Sequence, residues 1–96
     1  MTCKIKCLLF NSICSYKYQI IIYDVNNNLL LKTKTNQYGY ITVNLPYEGL
    51  YKITVILNNI NKKINYYIKD NDVICICLNK NTGYKNITIK FFDYNY

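Results

Sequence analysis

The chain is predicted to be all-β, an antiparallel sandwich of seven to eight strands. Three observations carry this. Apolar and polar residues alternate through most of the 96 residues, which is the period of a strand with one buried face. Clusters of Asn, Asp and Gly interrupt the alternation at regular spacing, as turns between short strands do. The apolar residues are mainly Ile, Leu, Val and Tyr, while Ala, the best helix former, is absent.

A chain of this length makes one domain with one small core. Residues 1–15 read as a cysteine-containing N-terminal arm or first strand, and residues 16–96 as the sandwich proper. At the start Cys3, Ile5, Cys7 and Leu9 share one face and Lys4 and Lys6 the other. Tyr16 to Val25 reads as one long strand with Tyr18, Ile20 and Ile22 on one side. The Asn run 26–28 turns it, since Asn tolerates left-handed geometry, and Leu29 to Thr35 returns as a hairpin partner. Gly39 sits where a second turn is needed. Ile41, Val43 and Leu45 then alternate with Tyr40, Thr42 and Asn44 until Pro46 stops the strand. Gly49 opens the next strand, whose inner face is Tyr51, Ile53, Val55 and Leu57. Residues 58–62 form a turn, and Ile64, Tyr66 and Ile68 mark a further strand. After the polar turn Asp70-Asn71-Asp72, which lacks the Gly and closing Glu of a calcium loop, Ile74, Ile76 and Leu78 alternate with Val73, Cys75 and Cys77. A last turn at 79–86 leads to Ile87, Ile89 and Phe91.

One ordered set of residues adds a family expectation. Tyr23-Asp24 at a strand end, Thr35-x-x-x-Gly39, Leu45-Pro46, Gly49 and Tyr51-x-Ile53-x-Val55 resemble the prealbumin-like domains, the group of carboxypeptidase regulatory-like and collagen-adhesin B-type (CnaB) modules. The resemblance covers residues 16–57. It implies a small sandwich used as a structural or binding module, rarely as an enzyme. Transthyretin-like hydrolases of hydroxyisourate rely on His and Arg, and this chain has neither. CnaB modules often carry an internal Lys–Asn or Lys–Asp isopeptide bond promoted by an acid just before the Leu-Pro. Here that position is Asn44, and the only Glu, Glu48, follows the Pro. Lys4, Lys6 or Lys17 with Asp93 or Asn95 would be a remnant of such a pair.

The net charge is +7, all from Lys, and the lysines are dispersed. That pattern keeps a small domain soluble. Without Arg there is no bidentate grip on phosphate, so neither nucleic acid nor membrane is an expected partner. Asn, Ile, Tyr and Lys all have AT-rich codons, so an AT-rich genome accounts for much of the composition. With no His, the usual general base near neutral pH is missing, and no catalytic residue, cofactor or metal ligand set is expected.

Five cysteines remain: Cys3, Cys7, Cys14, Cys75 and Cys77. They fit three readings: small apolar core residues, thiolate ligands of a metal at unusual spacing, or disulfide crosslinks. Cys75 and Cys77, on one face of one strand, are too far apart to bridge each other. Twelve Tyr, several on polar faces (Tyr40, Tyr67, Tyr84, Tyr94, Tyr96), would suit an interface. The leading expectation is a non-enzymatic structural subunit that self-assembles into a surface fibre, appendage or coat. Inter-subunit disulfides from the N-terminal arm would use those five candidate cysteines. The N-terminus has too short an apolar run for a secretory signal, so synthesis in the cytoplasm and display on a spore or cell surface are expected. The partner would be the chain itself, with another surface protein or glycan beside it. The alternative is a stand-alone carboxypeptidase-regulatory-like module presenting loops to a protein or glycan.

Overall fold

A computed structural model describes residues 1–10, 12, 14–78 and the backbone of 88–91. Eight strands follow one another: β1 (Thr2–Leu9), β2 (Gln19–Tyr23), β3 (Leu29–Lys34), β4 (Tyr40–Asn44), β5 (Gly49–Leu57), β6 (Ile60–Ile68), β7 (Asp72–Leu78) and β8 (Thr88–Phe91). They form two four-stranded sheets, sheet I in the order β4-β1-β7-β8 and sheet II in the order β3-β2-β5-β6. The chain is therefore an all-β sandwich. The turn expected at 79–86, Ile87, Tyr84, Asp93, Tyr94, Asn95 and Tyr96 lie outside the described residues.

The alternation sorts side chains into the core as expected. Ile5, Ile20, Ile22, Tyr51, Ile53, Ile74, Ile76 and Leu78 are completely buried between the sheets, and each such side chain contributes about 1.5–3 kcal/mol by leaving water. The pairing is not antiparallel throughout, however. β1 runs parallel to β7, in register from Cys3 opposite Asp72 to Leu9 opposite Leu78. A parallel pair needs a long crossover, and the five strands between β1 and β7 supply it. Alternation reports which face a residue takes and is blind to strand direction.

The first long strand is also shorter than expected. β2 spans Gln19–Tyr23 rather than Tyr16–Val25. At its start the Tyr18 N–H donates to the Thr35 hydroxyl at 2.8 Å, and the Thr35 N–H donates to the Tyr18 carbonyl at 2.8 Å. At its end Asp24 already belongs to the turn, its N–H bonded to the Asn28 carbonyl at 3.0 Å. Conversely β6 starts at Ile60, because Asn58 (φ 53°) turns the chain in two residues.

The Thr35 to Val55 stretch shows why its residues stand in that order. Asn36 closes the turn after β3, its side-chain oxygen accepting the Tyr38 N–H at 2.9 Å and the Tyr40 N–H at 3.2 Å. Gly39 has φ +87°, and a Cβ there would lie 2.6 Å from the Cys7 carbonyl oxygen; both features demand glycine. Its own carbonyl accepts the Cys7 N–H at 2.7 Å, tying β4 to β1. Past Pro46, the Tyr47 and Tyr51 rings stack with centroids 5.3 Å apart. The Tyr51 hydroxyl donates to the Tyr47 carbonyl at 2.5 Å. Gly49 leaves the space beneath the Tyr47 ring, whose atoms would come within 3.1 Å of a Cβ.

Candidate functional site

The side chains that could do chemistry are mostly occupied in holding turns. The Asp24 carboxylate accepts the Asn26 and Asn28 N–H groups at 2.8 and 2.9 Å. These bonds, led by the one from the Asn28 backbone, hold its carboxyl below the usual carboxylate range. Asp70 accepts the Thr2 N–H at 2.9 Å, Asp72 the Lys69 N–H at 2.7 Å, and Glu48 the Asp70 N–H at 2.8 Å. The Asp70-Asn71-Asp72 carboxylates thus serve different backbone groups. Among the described residues no three thiols or carboxylates come together in a way that would hold a metal ion.

All five cysteines are among the described residues, and none is in a disulfide. Cys3 and Cys7 line the core side of β1, and burial pushes both thiols up to about 12. Such thiols are poor nucleophiles. Cys75 and Cys77 are level with Lys6 and Leu8 of β1, on the outer side of sheet I, while Cys7 is level with the core residue Ile76. The thiols of β1 and β7 therefore project to opposite sides of one sheet. Cys75 is buried there, Cys77 half-buried, and Cys14, between β1 and β2, is exposed. Lys4 and Lys17 are exposed and Lys6 half-buried, so none of the three lies in the core.

The outer face of sheet II is different in kind. It holds an open groove of about 630 Å³. Half-buried Ile21 and Ile56 make the floor, with Tyr23 and Thr54 beside them. The side-chain amides of Asn27, Asn61 and Asn65 and the ammoniums of Lys52 and Lys63 form the rim. The register builds this surface row by row. Lys32, Ile21, Thr54 and Lys63 stand level across β3, β2, β5 and β6, and Tyr23, Lys52 and Asn65 make the adjacent row. Lys32 and Lys63 are three inter-strand steps apart, about 14 Å. Lys52 donates to the Asn27 side-chain oxygen at 2.5 Å. Among the described residues Lys32, Lys34 and Lys63 have no hydrogen-bond, ion-pair or ring partner. An apolar floor with a few polar groups converging on it is the usual composition of a ligand site.

Sequence reasoning missed this face because it treated the lysines as dispersed charge. A signal was present: β2, β3, β5 and β6 contain five Lys and no Asp or Glu. Recognising it requires knowing that these four strands share a sheet.

No family model matches the sequence, and no curated protein does. Among solved structures the chain is similar to the Bacillus anthracis TIE protein, with a TM-score of 0.60 and 22% identity. The match covers 81% of this chain and 15% of that one, so the chain spans about 15% of the length of the protein it matches. At that identity the likeness speaks for the fold alone.

Proposed function

We propose that the chain is a non-enzymatic, prealbumin-like module that works by binding, and that the outer face of sheet II takes a glycan. The observation that carries this is the groove over Ile21 and Ile56, rimmed by Asn27, Asn61 and Asn65. Sugar rings offer apolar C–H faces to such a floor and hydroxyls to such amides. The non-enzymatic part is supported by Asp24, Glu48, Asp70 and Asp72, each of which accepts a backbone N–H of a turn or, for Asp70, of the start of β1. The family part is supported by the roles of Gly39, Gly49 and Tyr51, which give the motif residues a physical reason for their order. Native electrophoresis through gels containing dextran, polygalacturonate or dextran sulfate tests the binding reading. The folded chain is slowed by at least one of them, and Ile56→Ala weakens the retardation. Free migration in every gel overturns the reading.

The self-assembling subunit keeps one supporting observation. Phe10 and Leu8 are 54% and 40% exposed, on the segment that leads to the exposed thiol of Cys14. In that reading Cys14 is the crosslinking residue as the one exposed thiol, ahead of half-buried Cys77 on the outer side of sheet I, and a bridge through Cys3 or Cys7 requires the core to open. Non-reducing gels then show a dimer band that Cys14→Ser abolishes. A monomer under oxidising conditions contradicts it.

A further inference from the structure

The groove's surroundings narrow its partner to a chemical class. Resting on the binding reading above, we infer that the outer face of sheet II takes an anionic polysaccharide, whose carboxylate or sulfate groups meet Lys32, Lys52 and Lys63. Charge complementarity points to an anion. The outer face of sheet II carries Lys32, Lys34, Lys52 and Lys63, and its four strands contain no carboxylate. Asp24, the acid that follows β2, is held in the β2–β3 turn by Asn26 and Asn28 and has Lys52 as a charge neighbour. Lys32, Lys34 and Lys63 have no partner among the described residues, so an anion reaches them without breaking an existing bond, while Lys52 exchanges its bond to the Asn27 side-chain oxygen.

The lysines of sheet I supply the contrast. Lys4 and Lys6 lie over the Tyr40 ring at 4.8 and 5.2 Å, and Lys6 also donates to the Tyr38 carbonyl at 2.6 Å. A partner there competes with contacts already made. The spacing on sheet II also favours an extended partner. Lys32 and Lys63 are about 14 Å apart between Cα atoms, a separation that several residues of a polymer span. Sugars fit the groove better than bases. Single-stranded nucleic acid is held mainly by stacking on several aromatic rings, and the groove lining contains one ring, that of Tyr23.

The same gels test this, read in two pairs of variants. Dextran sulfate and polygalacturonate slow the wild-type chain, and neutral dextran does not. Raising the salt weakens the retardation, because the charges are at the surface. Lys52→Gln/Lys63→Gln binds about tenfold more weakly. Lys4→Gln/Lys6→Gln, which removes the same charge from the other sheet, binds as wild type. Equal losses in the two double variants mean a bulk charge effect and overturn the inference. Equal, salt-insensitive retardation by dextran overturns it while leaving the binding reading intact. Tighter binding of an oligothymidylate than of either polysaccharide makes the face a nucleic-acid surface and also overturns it. No retardation in any gel removes both the inference and the reading beneath it.

Discussion

The two outer faces of the sandwich use the same residue in opposite ways. On sheet I, Lys4 and Lys6 are spent within the molecule, over the Tyr40 ring and against the Tyr38 carbonyl. On sheet II, Lys63 rims an apolar groove, and it and Lys32 and Lys34 on the same outer face have no partner among the described residues. The difference shows that net charge alone says little about function in a lysine-rich chain. What matters is which lysines the fold has already satisfied.

The most damaging way to break the comparison is to remove the turn that presents the tyrosines of sheet I. Gly39→Ala forces a side chain into a left-handed backbone and against the Cys7 carbonyl, which costs about 3 kcal/mol. A urea titration shows it as a lower midpoint at unchanged slope.

Next comes the underside of sheet I. Burial pushes the Cys3 and Cys7 thiols from 9.0 up to about 12. The folded chain holds these protons more tightly than the unfolded one. Their contribution to stability is therefore complete below pH 9 and is lost as pH rises towards 12. Melting temperatures across that window fall, and Cys3→Ala/Cys7→Ala falls less steeply from its lower starting point.

Tyr40→Leu sharpens the comparison more gently. It removes the ring that Lys4 and Lys6 share and costs about 1 kcal/mol in stability, with retardation by dextran sulfate no weaker than wild type. Lys63→Gln does the reverse. Its melting midpoint corresponds to a change within about 0.5 kcal/mol, and its affinity for the polyanion drops about threefold.

The faces of the strands were legible in the sequence, because period-two alternation is a local property. Cys3, Ile5, Cys7 and Leu9 went to the core and Lys4 to solvent as the pattern required. Two things were not legible, for related reasons. The parallel pairing of β1 with β7 depends on how the chain crosses between sheets, and no local period records that. The groove depends on Ile21, Thr54 and Lys63 standing level across three strands, with Lys32 level with them on a fourth. Those residues are far apart in sequence, and only the sheet order brings them together. The same alternation put Cys75 and Cys77 on the face opposite Ile74, Ile76 and Leu78, but only the register with β1 shows that this face is the outer side of sheet I.

The claim that sheet II is the binding face is tested most directly by mapping backbone amide shifts of the isotope-labelled chain while dextran sulfate is added. The account predicts that Ile21, Thr54, Ile56 and Lys63 move together and saturate at one concentration, with Lys4, Lys6 and Thr42 still. Shifts centred on Lys4, Lys6 and Tyr40 contradict it.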